Sequence, residues 1–159
     1  VFMRKMEDTS LNISFTGEYN NSIDQKSRLS IPAKYRKALS PLNNRTFVLT
    51  RGFDQCLVLY PLNEWKKVEF QLGSLSSIKI KHRNFVRSIV RCAVHSQYDS
   101  QGRIAIPDNL LKYAKIDKNI TIIGMIKKIE LWSPKLLNED ITLPPVGDDY
   151  EDLANEINF

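Results

Sequence analysis

Cysteine is nearly absent: 159 residues hold only Cys56 and Cys92. Two distant thiols outside any Cys-x-x-Cys spacing are too few for a zinc site or a disulfide framework. They read as buried free thiols in a reducing cytoplasm, with a single disulfide left open. Glycine is sparse as well, at six residues, and no Gly-rich loop that could cradle a phosphate is present. The two histidines, His82 and His95, have no nearby cysteine, nucleophile elbow or carboxylate cluster at catalytic or metal-ligand spacing. The sequence therefore gives no support to an enzyme, a metal site, a cofactor or a small-molecule substrate. No apolar stretch approaches 18 residues, so no membrane span is expected. Residues 1–14 have charges but no apolar core before a small-residue cleavage site. They read as an extension and not as a signal peptide. Residues 136–159 contain no Lys or Arg at all.

What is present is ordinary globular material, 42% hydrophobic and 26% charged, which argues against disorder along most of the chain. The length fits one or two small domains. The net charge of +5 conceals an asymmetry. Residues 17–135 carry 21 Lys and Arg against 9 Asp and Glu, whereas residues 136–159 carry seven acids. A body with so large a positive excess attracts polyanions, of which nucleic acid is the commonest. A solvated basic surface without a partner has the same composition. The acidic tail suits either a solubilising segment or an internal competitor for the basic surface.

One repeat organises the chain. Ile23-Asp24-Gln25-Lys26-Ser27-Arg28-Leu29-Ser30-Ile31-Pro32 recurs 75 residues later as Tyr98-Asp99-Ser100-Gln101-Gly102-Arg103-Ile104-Ala105-Ile106-Pro107. Asp, Arg, an aliphatic, Ile and Pro return in the same slots, and a short helix-like run follows each copy, 33–39 and 108–114. Pro32 and Pro107 suit a first helical turn, where a missing N–H is no loss. Two apolar, β-branched runs follow each helix, 46–50 and 56–60, then 120–123 and 129–132, and these read as strands. Each half is thus strand, turn, strand, short helix, strand, turn, strand. Some 45 residues cannot bury much core alone, so the halves are expected to pair as a pseudo-symmetric unit. Between them, periodicity predicts helices over 62–72, with Trp65, Val68 and Leu72 on one face, and about 78–91. The second has Phe85, Val86, Ile89 and Val90 as its stripe and carries Lys79, Lys81, Arg83, Arg87 and Arg91 without an acid. Past Trp132 the pattern weakens. Pro144-Pro145 and the acidic run 148–152 suggest a loosely held tail with a short helix at 153–159. The division expected is an extension over 1–16, a first half over 17–63, a helical linker over 64–91, a second half over 92–135 and an acidic tail over 136–159.

The Asp-x-x-x-Arg pair, the aliphatic-x-Ile-Pro that follows it and the short helix resemble the swapped-hairpin barrels of the AbrB type. Two copies joined by a two-helix linker resemble the MraZ family of bacterial transcriptional regulators. Gly17-Glu18-Tyr19, Thr50-Arg51-Gly52, Leu59-Tyr60-Pro61-Leu62 with Trp65, and Ile129-Glu130-Leu131-Trp132 match that family too. The likeness covers roughly residues 15–134. It departs at Ser27, where the family usually has the Gly that the second copy keeps at Gly102. The resemblance implies an α+β fold, two AbrB-like swapped-hairpin β-barrel halves related by internal pseudo-twofold duplication, with linker helices. It further implies sequence-specific binding of double-stranded DNA and assembly into homo-oligomeric rings. The DNA would be repeated boxes in the promoter of the protein's own division and cell-wall gene cluster, usually repressed. A cytoplasmic, nucleoid-associated location goes with that role. The rival reading is an antitoxin-like protein-interaction module with secondary DNA binding. Such modules usually carry one barrel half, and this chain carries two.

Within the motif, Asp24 and Asp99 start turns and read as structural clamps, each accepting backbone N–H groups and a bond from the Arg four residues on. An Arg there can pair an Asp, a phosphate, or guanine O6 and N7. The resemblance makes Arg28 the favoured DNA contact. Lys26, at the loop tip, suits a phosphate or base. Lys34, Arg36 and Lys37 are phosphate candidates or a solvated helix face. Gln101 and Arg103 occupy the matching slots. Because Gln101 replaces Lys26, the first half is expected to dominate binding. The basic run 79–91 suits a solvated face, a subunit contact or an auxiliary DNA surface. Trp65 and Trp132 read as core.

Overall fold

The computed structural model describes residues 13–140 and 148–157. The residues of the expected extension before Ile13, the Pro144-Pro145 pair and Phe159 lie outside the described residues. The first half contains β1 (Glu18–Ser22), β2 (Arg28–Ser30), α1 (Ala33–Ala38), β3 (Thr46–Arg51) and β4 (Leu57–Pro61). Two helices follow, α2 (Leu62–Gly73) and α3 (Ile80–Val90). The second half repeats the series as β5 (Val94–Gln97), β6 (Arg103–Ala105), α4 (Asp108–Tyr113), β7 (Asn119–Gly124) and β8 (Ile129–Trp132). Two further helices are α5 (Pro134–Asp140) and α6 (Asp148–Glu156). The tail helix therefore lies earlier than the expected 153–159 and includes the acidic run.

The halves do not form separate sheets. Six strands make one antiparallel sheet in the order β1-β7-β8-β4-β3-β5, and β2 pairs with β6 as a two-stranded ribbon. The order is a palindrome: β1 of the first half pairs with β7 of the second, and β5 of the second with β3 of the first. Even the register repeats, since Ser22 faces Asn119 as Gln97 faces Thr46. The α+β class and the duplicated domain expected from the sequence are those observed. The sheet itself is not closed, because its order ends in β1 and β5, and a barrel is not confirmed. The residues alone suggested two units packed by their apolar faces. The chain instead exchanges strands, which satisfies backbone groups that face packing would leave open.

Alternation explains the layers. One face of the sheet carries Phe47, Leu49, Leu57, Leu59, Ile120, Ile122, Ile129 and Leu131, all fully buried. Against it pack Leu29 and Ile104 of the ribbon, Tyr35 of α1 and Leu110 and Leu111 of α4. On the other face Val48 meets Trp65 and Leu72 of α2 and Ile89 of α3, while Trp132 and Cys56 meet Leu137 of α5. Both tryptophans are core, as expected. A sheet covered on both faces needs apolar residues at odd and even positions, hence runs such as Thr46-Phe47-Val48-Leu49-Thr50. Helix α5 was not expected. It follows β8 as α2 follows β4, and Leu137 is buried beneath it as Trp65 is beneath α2. The repeat therefore runs on to residue 137. Ile13 and Phe15, outside the expected first half, belong to the core, and Phe15 bridges to Ile126. Cys56 and Cys92 are free, and burial above all pushes the Cys56 thiol up to about 12.

Strand exchange makes the halves interdependent. A chain nicked between α2 and α3, at residues 74–79, is expected to remain one particle, and size-exclusion chromatography of the nicked protein tests this. Residues 13–73 produced alone are expected to be unfolded or self-paired. Elution of that fragment as a folded monomer would contradict the exchange.

Candidate nucleic-acid interface

The ribbon places the repeated motif. Three-residue strands with one buried position each leave the flanking side chains on the opposite, outer face. Leu29 and Ile104 point inward, whereas Arg28 faces Ala105 and Ser30 faces Arg103 on the outside. Arg28 and Arg103 are diagonal neighbours there, about 7–8 Å apart by ribbon geometry. The sequence thus named two arginines 75 residues apart, and the fold brings them onto one surface.

Each arginine is held by the aspartate of its own loop. Asp24 Oδ1 accepts the backbone N–H groups of Lys26 and Arg28, both at 2.9 Å, and Arg28 Nε donates to Asp24 Oδ2 at 2.8 Å. Asp99 repeats the set with Gln101 N, Arg103 N and Arg103 Nε at 2.9, 3.0 and 2.9 Å. The expected clamp role of both aspartates is what the geometry shows. In each case the amide of the arginine, more than any other contact, holds the carboxylate below its ordinary 3.8. The two clamps also meet, since Arg103 Nη1 lies 4.0 Å from Asp24 Oδ2. Among the described residues the Nη groups of Arg28 make no hydrogen bond. A planar fork fixed at Nε with two free nitrogens outward can bind a phosphate or a guanine edge.

Lys26 and Gln101 are exposed at the two loop tips, with their amides used and their side chains free among the described residues. Lys34 and Lys37 are exposed on α1. Pro32 and Pro107 sit one residue before their helices, as N-caps, and the Pro32 carbonyl accepts from Tyr35 and Arg36. Arg36 is placed differently from a free phosphate contact. Its Nε donates to the Ile31 carbonyl at 3.0 Å, and its side chain lies across Gly102 of the other half. A Cβ on Gly102 would meet Arg36 Nε at 2.5 Å. The matching pair is Ser27 with Leu111, so the departure at Ser27 has a counterpart: where the helix carries Arg, the loop carries Gly. Both loop residues have left-handed backbone, φ 57° at Ser27 and 76° at Gly102. Sequence reasoning missed Ser30, which shares the outer face with the arginines and whose carbonyl accepts from Asn21 Nδ2 at 3.0 Å. The period-two pattern Arg28-Leu29-Ser30-Ile31 carried that signal. Of the basic run, Arg83 bonds the Ser77 and Ile78 carbonyls and Arg87 bonds Asn84.

The loop pair behaves unequally on substitution. Ser27→Gly relieves a left-handed L-residue and is expected to gain up to about 1 kcal/mol, net of the chain entropy glycine adds. Gly102→Ser is expected to destabilise, because both the backbone and Arg36 must shift. Denaturant midpoints of the two variants decide this, and equal effects would contradict it. The clamps also set a pH response. A carboxylate depressed in the folded state contributes stability above its ordinary 3.8, and that contribution is lost as pH falls through the lower folded value. Asp24→Asn with Asp99→Asn is therefore expected to lower the melting temperature at pH 7 and to flatten its fall below about pH 4. Melting curves across that range measure both.

Comparison with known proteins gives a consistent family. A family model described as "MraZ protein, putative antitoxin-like" matches residues 14–88 and again 89–139. The transcriptional regulator MraZ of Halothermothrix orenii is 43% identical over 140 residues, 88% of this chain and 94% of the relative. Those of Pediococcus pentosaceus and Clostridium tetani are each 40% identical, over 91% of this chain and 98% and 96% of their own lengths. With the family model matching two segments that together span residues 14–139, and relatives 40% or more identical over most of the chain, the chain belongs to the MraZ family.

Proposed function

We propose that this chain is a sequence-specific, double-stranded-DNA-binding transcriptional regulator with no enzymatic step. The observation that carries the reading is the β2–β6 ribbon, whose outer face presents Arg28 and Arg103, each locked by an aspartate, on a strongly basic body. A B-DNA major groove admits a two-stranded β-ribbon, and a fixed guanidinium fork matches guanine O6 and N7. Lys26 and Gln101 flank that fork at the loop tips, and the exposed Lys34 and Lys37 supply charge toward phosphates, while Arg36 braces the Gly102 loop. The relatives' name, transcriptional regulator, supports the role. Among the described residues no three His, Cys, Asp or Glu side chains could hold a metal ion, and no helix is long and apolar enough to cross a membrane.

The finer reading is that several subunits, joined in a ring, engage repeated boxes in the promoter of the protein's own division and cell-wall gene cluster. They would repress that cluster on the nucleoid, in the cytoplasm. One ribbon makes few contacts, so repeated boxes gain affinity through avidity.

Titration with the protein's own upstream promoter and with scrambled DNA tests this. Binding is expected to weaken steeply with salt as counterions are released. Arg28→Ala is expected to cost about 1–3 kcal/mol per engaged subunit and to erode the preference for the promoter. Lys26→Ala should weaken both DNAs alike, and Arg103→Ala should cost less than Arg28→Ala. Arg28→Lys keeps the charge while losing the fork, which separates base reading from charge. A folded, assembled Arg28→Ala chain that stays fully selective would remove Arg28 from the site.

A further inference from the structure

The groove between α2 and α3 takes no part in the ribbon. It encloses about 520 Å³ and is lined by Leu72, Val86 and Val90 together with Arg83, Arg87 and Arg91. Val90 is 49% exposed. Among the described residues none of the three arginines is paired with an acid; their bonds go to carbonyls and to Asn84. A phosphate backbone would use the arginines but leave the valines uncovered. The complementary surface lies in the same chain. Helix α6 holds five acids and no base. Its Leu153 and the following Ile157, four residues apart and so on one face, are 58% and 72% exposed. Nine helical residues are about 14 Å long, a fit to a groove between two helices of similar length.

We propose that α6 of one copy docks in the α2–α3 groove of a second copy, with Leu153 and Ile157 on the valines and its acids on Arg83, Arg87 and Arg91. The occupant is a second copy because the chain's own α6 leaves those two side chains exposed while its own groove stands open. Such a contact joins two different surfaces, so it propagates head to tail and can close a ring. The inference rests on the self-association proposed above and is independent of how the promoter is read.

Sedimentation velocity of the full chain over a micromolar concentration series tests it. The variants are Arg87→Glu with Arg91→Glu, Asp152→Lys with Glu156→Lys, and a chain carrying all four changes. The altered side chains are exposed and outside the core, so the fold is not at issue. Each reversed pair is expected to weaken self-association about tenfold, and the four-change chain to regain it. Leu153→Glu is expected to weaken it as well. Unchanged association in either reversed pair, no recovery in the four-change chain, or a wild-type chain that sediments as a monomer across the whole series would each overturn the proposal. Titration of the same variants with promoter DNA keeps the two readings apart. Lost DNA binding with unchanged association would make the groove a DNA surface and end the docking proposal.

Discussion

The pairing of strands between the two halves is the constraint on which the rest depends. β1 finds its hydrogen-bond partner in β7 and β5 finds its own in β3, so neither half has a complete sheet without the other. The backbone requirement is stricter than the hydrophobic one. Apolar faces can be covered by many partners, but an unpaired row of buried N–H and C=O groups cannot be left. Once the exchange is made, the core between sheet, ribbon and short helices closes around Leu29, Ile104, Tyr35 and Leu110 without further choice.

The exchange also creates the ribbon. β2 and β6 are too short to persist alone, and each becomes a strand only by pairing with its counterpart. Their antiparallel register sets the two arginines diagonally on one outer face. The Asp clamps then remove the freedom that long side chains would otherwise have to lose on binding. A recognition surface built this way is rigid before any partner arrives. Arg36, lying over Gly102, ties the helix of one half to the loop of the other and so fixes the two clamps relative to each other.

Charge is distributed by the same architecture. The ribbon and α1 concentrate exposed cations on one side of the core, and α3 carries a second set, without an acid partner among the described residues, on the other side of the sheet. Seven of the 18 acids lie in the C-terminal tail, residues 136–159, which holds no Lys or Arg. A helix such as α3, with no counterpart in the second half, is where a duplicated fold is free to differ between its copies.

The duplication, helices α1 to α4, the strand runs and the clamp pairs Asp24–Arg28 and Asp99–Arg103 were all legible in the sequence. They depend on local periodicity and on contacts four residues apart, which spacing alone reveals. Helix α5 was equally legible, had the repeat been followed from Trp65 to Leu137. What spacing could not reveal was which strand pairs with which. Thr46-Phe47-Val48-Leu49-Thr50 is apolar on both faces whether its neighbour is β1 or β5. Nor could it show that Arg36 crosses to Gly102, or that Arg28 and Arg103 share a surface. The sequence by itself determined the elements and the chemistry each carries, because those follow from near neighbours along the chain. Only the tertiary structure decided the partnership between halves, because hydrogen-bond register between segments 45 or more residues apart leaves no mark on the composition of either.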